Sequence, residues 1–336
     1  MYDVARKAGV STATVSRFVN AAAPVAGGTG QRVEMAVRAL GYRPNGIARS
    51  LVTKATHTLA LLLPDITNPF FPDLVKGVQL AANERGYVVL LCSTLSDALT
   101  EESYLKLLQL KQVDGILAVG LTMRRPQIKR FAPTGVPFVS LDRDIDFPDA
   151  PLVRLDHRGG ARLATQHLIA LGHRAIAHVT GPAGLRVSRE RLAGYRAALT
   201  AARITADSRL RVTGDFTEEA GYAGIERLLM EAVPFTAVFT GNDLAAIGAM
   251  AALKRHGLRV PEDVSVIGFD DIHLAAYTSP PLTTIRQPTY EMGRHAAEIL
   301  MDTIGSVSPK RRVANRVFEG RLVVRGSTGP LRGGEQ

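Results

Sequence analysis

From Thr58 onward the chain alternates short apolar runs with longer amphipathic stretches, and this alternation constrains its fold more than any other feature. The runs are Leu59–Leu63, Tyr87–Leu91, Gly115–Val119, Phe138–Leu141, Ile176–Thr180, Ala237–Thr240 and Val264–Phe269. Runs this short are too brief for buried helices. Continuously apolar strands are covered on both faces, which requires parallel sheets with helical crossovers. The stretch is long enough for two lobes rather than one. It carries no glycine-rich phosphate fingerprint, because Gly28-Thr29-Gly30 has neither a preceding strand nor a third glycine.

The segment before it differs in charge. The 336 residues carry a net charge of +10. Residues 1–58 hold eight basic side chains against Asp3 and Glu34, a net +6, leaving +4 for all the rest. A basic head on a nearly balanced body points to a polyanion-binding module. Asp3–Ala8 reads as a short helix that Gly9 breaks, and Ser11 is a suitable N-cap for a second helix through about Asn20. A third helix from about Thr29 to Leu40 is expected to close a small core with Val33, Val37 and Leu40. This is an all-α helix-turn-helix pattern. The outward face of its second helix offers Thr12, Ala13, Ser16 and Arg17 to a major groove. Arg17 can reach guanine O6/N7, while Ser11, Thr14, Ser16 and Asn20 suit phosphate oxygens.

In parallel sheets ligands bind beyond the carboxyl ends of the strands. Polar and aromatic groups cluster there: Asp65 to Phe71, including Asn68, Phe70 and Phe71; Asp142 and Arg143; Asn242 and Asp243; Asp270 and Asp271. Arg191 opens a helical stretch over Val187–Ala197, Phe216 follows Val212–Asp215, and Gln287 follows Thr283–Ile285. Carboxylates, amides and guanidinium groups bind adjacent hydroxyls in pairs, and aromatic rings cover the C–H faces of a sugar.

The run Asp3-Val4-Ala5, Ala8-Gly9-Val10-Ser11, Thr14-Val15-Ser16-Arg17 and Asn20, followed by Leu40 to Asn45 and Ala48-Arg49-Ser50-Leu51, closely resembles the lactose/galactose repressor family. Gly181-Pro182, Arg191 to Tyr195, Thr240 to Asp243, Val266 to Asp271 and Pro281 to Ile285 extend the resemblance over essentially the whole chain. It implies a DNA-binding domain at 1–44, a hinge helix and linker at 45–57, and a two-lobed effector and dimerisation domain at 58–336. The effector domain would be like periplasmic sugar-binding proteins, with crossovers near 155 and 287. Asn45, Ala48 and Leu51 would meet the operator centre, Leu51 as a minor-groove wedge that kinks the duplex. The set Asn68, Phe70, Phe71, Asp142, Arg143, Arg191, Phe216, Asn242, Asp270 and Gln287 is similar to that of ribose-type members, which implies a pentose effector with a hexose as the alternative. Family members carry a few more residues before Tyr2, including a capping threonine, so either Met1 is a miscalled start or the first helix is expected to fray. Gly27, Gly28 and Gly30 are expected to loosen the entry to the third helix.

One recognition helix reads few bases, so a homodimer on pseudo-palindromic double-stranded DNA is expected. The glycine-rich tail after Arg325 has no leucine heptad for a tetramer. No apolar run reaches a membrane span and no secretory apolar segment opens the chain, so cytoplasmic residence is expected. Cys92 is the single cysteine. His167, His173 and His178 do not share one helical face and read as surface and turn residues, with no metal and no cofactor implied. Hydrolase elbows, zinc-protease motifs and Walker loops are missing, which argues against an enzyme. The rival reading from another class is the solute receptor of a transporter; the basic head and the missing export signal favour the regulator.

Overall fold

The structure, a computed structural model, describes residues 1–19, 25, 27–42, 55–109, 113–123, 135–142, 151–304 and 315–331. It divides into two compact units, Met1–Thr56 and His57–Gln336.

The first unit is a three-helix head. α1 (Tyr2–Ala8) has no side-chain cap at Met1 and ends at Gly9, whose left-handed backbone (φ 64°) only glycine adopts without cost. Val10 N–H bonds back to the Ala5 carbonyl, closing the turn. α2 (Thr12–Val19) starts on Ser11, whose hydroxyl accepts from Thr14 N–H at 3.2 Å. α3 (Gly27–Ala39) begins two residues earlier than its composition suggests. Gly30 is not a loosening element: it is buried, and a Cβ there would come within 3.3 Å of the Phe18 ring. Tertiary packing of α3 on α2 thus overrides poor helix propensity. The core is Val4, Ala5, Ala8, Val15, Val33 and Ala36. Leu40, expected inside, is 43% exposed; Val37 and Tyr42 cover that edge instead.

The second unit holds two parallel sheets. β1 (Thr58–Leu63), α4 (Phe71–Glu84), β2 (Val88–Ser93), α5 (Ala98–Gln109), β3 (Gly115–Val119), β4 (Phe138–Leu141) and β5 (Leu152–Leu155) build the first lobe. Pro72 and Asp73 favour the start of α4, and its buried Leu74, Val78, Ala81 and Ala82 recur at helical spacing. α6 (His157–Ala170) carries the chain to β6 (Ile176–Thr180) in the second sheet. There follow α7 (Arg186–Ala201), β7 (Arg211–Thr213), α8 (Glu218–Met230), β8 (Ala237–Thr240), α9 (Asp243–Arg255) and β9 (Ser265–Ile267). The chain then runs through β10 (Thr284–Arg286) and α10 (Thr289–Ile304), which packs on α4, to β11 (Arg316–Phe318) and β12 (Arg321–Val323).

The six-stranded sheet has the order β11-β5-β4-β3-β1-β2 and the four-stranded sheet β7-β6-β8-β9. Neighbours in both are parallel, with Leu61 opposite Leu91 and Leu117, and His178 opposite Phe239. β10 and β12 form a separate antiparallel pair. One apolar core runs from Leu61, Leu117 and Val139 through Tyr195 to Phe239 and Phe269, tying the lobes together. Within the second lobe α8 and α9 meet backbone to backbone: a Cβ on Gly221 would lie 2.0 Å from the Ala245 carbonyl oxygen, and one on Gly248 1.9 Å from that of Glu218.

The three histidines are not surface residues. His178 is fully buried in β6, stacked on Phe239 with 4.6 Å between ring centroids, and burial pushes its pKa down to about 4. His173 bridges Thr236 and Ser265 at 3.0 Å each, and half-buried His167 meets Thr328 at 2.9 Å. Each is spent on packing and hydrogen bonding. Among the described residues no group of histidine, cysteine and acidic side chains is arranged to hold a metal ion, and no helix is long and apolar enough to cross a membrane.

Candidate functional site

A cleft of about 850 Å³ lies between the two lobes, walled by the segments that leave the carboxyl ends of the strands. The first lobe contributes Asn68, Phe70 and Phe71 after β1, Thr122 after β3 and Asp142 after β4. The second contributes Arg191 from α7, Phe216 after β7, Asn242 after β8 and Asp270 after β9. Eight of the ten side chains expected to hold an effector therefore line one cavity.

Arg191 is the centre of the polar floor and is buried. One Nη donates to the Gly241 carbonyl, and the other lies 3.4 Å from Asp270 Oδ1. Its Nε faces His157 Nδ1 at 3.4 Å, and His157 Nε2 lies 3.0 Å from Asp142 Oδ1. The guanidinium plane sits 3.8 Å over the Phe269 ring and 5.6 Å from that of Phe216, so aromatic faces replace water around the cation. A chain of groups, Asp142, His157, Arg191 and Asp270, thus connects one lobe to the other.

The charges are tuned by burial and by each other. Burial opposes the Asp142 charge, yet His157, the Leu155 N–H and Arg191 hold its carboxyl below the ordinary carboxylate pKa. Burial pushes Asp270 up to about 6, against the pull of Arg191 and of the Gln287 amide, which donates to Oδ1 at 2.6 Å. Burial and neighbouring Asp270 raise Asp243 well above its usual value; it accepts from the Ile272 N–H and the Thr284 hydroxyl behind the wall.

Positive φ recurs around the cleft, at Asp142 (61°), Phe216 (74°), Asp270 (119°) and Asp271 (60°); it is least favourable for the bulky Phe216, and such outliers are found at ligand sites. Phe216 is aimed by its surroundings. A Cβ on Gly181 would fall 2.0 Å from its ring, and Asn242 Nδ2 donates to its carbonyl at 2.8 Å. Asn242 Oδ1 also caps α9 through Ala245 N–H, so this side chain orders the wall and offers a ligand its second amide hydrogen and the second lone pair of Oδ1.

Gln287 is buried behind Asp270 and does not reach the cleft wall. Asp271 turns away from Asp270 to pair with Arg286 and Arg325. His157 is the residue that strand-end reasoning missed. It follows β5, a strand whose apolar run is interrupted by Arg154 and so went unread. In the head, Ser11, Ala13 and Arg17 are exposed on and before α2, and Thr12, Thr14 and Ser16 are half-buried. Asn20, Asn45, Ala48, Leu51 and Arg143 lie outside the described residues.

A helix-turn-helix head in one chain with a two-lobed, parallel-sheet body around a polar cleft defines a ligand-responsive DNA-binding regulator. Residues 1–45 match the bacterial regulatory proteins, lacI family, and residues 165–328 match the periplasmic binding protein-like domain. The chain is 42% identical over 306 residues to the ribose operon repressor of Escherichia coli (strain K12), covering 90% of this chain and 92% of that protein. Its fold is similar to that of the lac repressor dimer bound to operator and the anti-inducer ONPF, with TM-score 0.86, 30% identity and 98% of each chain covered. It is also similar to a LacI family transcriptional regulator from Enterococcus faecium with bound ribose, with TM-score 0.75, 32% identity, 82% of this chain and 100% of that one. The chain belongs to the lacI family of bacterial regulatory proteins.

Proposed function

We propose that this chain is a cytoplasmic transcription repressor whose grip on a pseudo-palindromic operator is released by a small sugar, ribose or another pentose, held in the interlobe cleft. The observation that carries this reading is the buried Arg191, braced by Asp270 and His157 and flanked by aromatic rings, in the same chain as a helix-turn-helix head. A guanidinium and two carboxylates of fixed orientation suit vicinal hydroxyls, and Phe70 and Phe216 suit a sugar's apolar faces. Arg17 would read guanine, with Ser11, Thr12, Ala13, Thr14, Ser16 and Asn20 around it, and the 45–57 linker would present Asn45, Ala48 and Leu51 to the operator centre. A homodimer is supported by β2, the bare edge of the six-stranded sheet, which exposes Val88, Leu90 and Leu91.

Calorimetry of the full chain against pentoses and hexoses tests the reading, and silence toward every one of them would remove it. The same titration carries a pH prediction. Above about 6 Asp270 is a carboxylate acceptor for a ligand hydroxyl, and below it the protonated acid makes a neutral bond. A charged bond is stronger by about 1 kcal/mol, so affinity is expected to fall roughly fivefold from about pH 7.5 to about pH 5.5. An affinity that rises or stays flat over that interval would show that Asp270 does not accept from the ligand.

A further inference from the structure

Outside the cleft the strongest unassigned feature is a groove of about 500 Å³ on the outer face of α6 and α7. Its floor is made of small side chains, Ala193 and Ala197, and its charged rim is arginine alone: Arg158, Arg189 and Arg196. The groove exists because the two helices approach closely beneath it. A Cβ on Gly194 would lie 2.2 Å from the Arg158 carbonyl oxygen, so Arg158 is pressed against α7 while its side chain remains exposed.

The arginines are not there to balance acids. Arg158 and Arg196 have no hydrogen-bond or ion-pair partner among the described residues, and Arg189 donates only to the Ala183 and Gly184 carbonyls, which fix its direction. The two nearby acids are occupied. Asp156 caps α6 through Gly159 N–H, and Glu190 pairs with Arg186 and, more loosely, with Arg154. Arg158 also sits in the first turn of α6, where the helix dipole disfavours a cation. Arg189 and Arg196 are two turns apart on one face of α7, about 10.5 Å along the axis. Three guanidinium groups around a concave floor, with Asp156 and Glu190 beside them engaged elsewhere, leave the rim with a net positive charge.

We propose that this groove is a second ligand site, separate from the interlobe cleft, and that it binds a phosphoryl group, either as a free phosphate anion or on a phosphorylated small molecule. Guanidinium forks match phosphoryl oxygens bidentately, and three of them would satisfy a dianion that a single lysine could not orient. Ala193 and Ala197 leave room for the group that carries the phosphate.

Calorimetric titration of the full chain with pyrophosphate at low salt tests this. One saturable site is expected, and the double variant Arg158→Gln/Arg196→Gln should weaken it by at least ~10-fold. Both side chains are exposed and unpartnered, so the variant keeps the fold, which an unchanged melting curve verifies. Arg227→Gln, on the surface of α8, should leave binding unaltered. Inorganic phosphate and a pentose 5-phosphate separate the two sources. Equal affinity identifies the free anion, and tighter binding of the ester that the double variant abolishes identifies the metabolite. Pyrophosphate binding that survives the double variant, or no saturation at low-millimolar concentrations, overturns the site. So does a proportional loss of random-duplex binding, which would make the face a nucleic-acid surface.

Discussion

Replacing Arg191 by alanine is expected to weaken sugar binding at least ~10-fold and to destabilise the effector unit together. The guanidinium touches Asp270, His157 and the Gly241 carbonyl and is buried at the cleft floor. Removing one partner of a buried ion pair costs about 3–5 kcal/mol, because the other charge is left uncompensated. Loss of the charged bonds to ligand hydroxyls removes a further ~1.5–3 kcal/mol from binding, a tenfold loss or more. The stability loss carries a sign in pH. Without Arg191 the Asp270 pKa moves up from about 6. A carboxyl raised above its unfolded value favours the native state at low pH and disfavours it as pH rises through the folded pKa. The variant's deficit relative to the parent chain should therefore widen from about pH 5.5 to about pH 8. Urea melts of the two proteins at both pH values check this, and a deficit that shrinks would mean that Asp270 is not the group left exposed.

The second large effect is on the second lobe alone. Gly248→Val would put a branched side chain where a Cβ already falls 1.9 Å from the Glu218 carbonyl oxygen, at the α8 and α9 crossing that Gly221 mirrors. Neither side of the contact yields easily, since the Cβ is fixed by the α9 backbone and the oxygen belongs to the α8 backbone. The expected loss is at the top of, or beyond, the ~1–3 kcal/mol usual for an overpacked core. It should appear as a lower urea midpoint. A midpoint within error of the parent would show that the two helices do not meet through glycine.

Much of this was legible in the residues. The runs at 115–119, 138–141, 176–180 and 237–240 coincide with β3, β4, β6 and β8, because fully buried parallel strands are apolar from end to end. Asp142, Asn242 and Asp270 follow runs with no charged residue in them, so the strand-end rule reaches them for the same reason. β5, β7, β11 and β12 were less legible: they are three or four residues long, and each carries an arginine. With β5 went His157, the link between Asp142 and Arg191. Gly30 and Leu40 misled in the head because propensity and hydrophobicity are local, whereas the Phe18 contact and the end of α3 are tertiary facts. His178 did leave a sign. A polar residue inside a run as apolar as Ile176–Thr180 must find its partner internally, and it does so in the Phe239 carbonyl at 2.9 Å.

Regulation by a sugar requires the cleft and the head to act on one another. Ligand can shift operator binding only by its differential affinity for the two states, and coupling of about 1–3 kcal/mol corresponds to a 5–150-fold change. The most direct measurement titrates an operator duplex, selected from random sequence with this chain, against fixed protein with and without saturating ribose, or whichever pentose calorimetry selects. The expected result is operator binding weakened by a factor in that range, with the operator weakening sugar binding by the same factor. Operator affinity that is the same at zero and saturating sugar would contradict the account, because the cleft would then bind its ligand without consequence for the DNA.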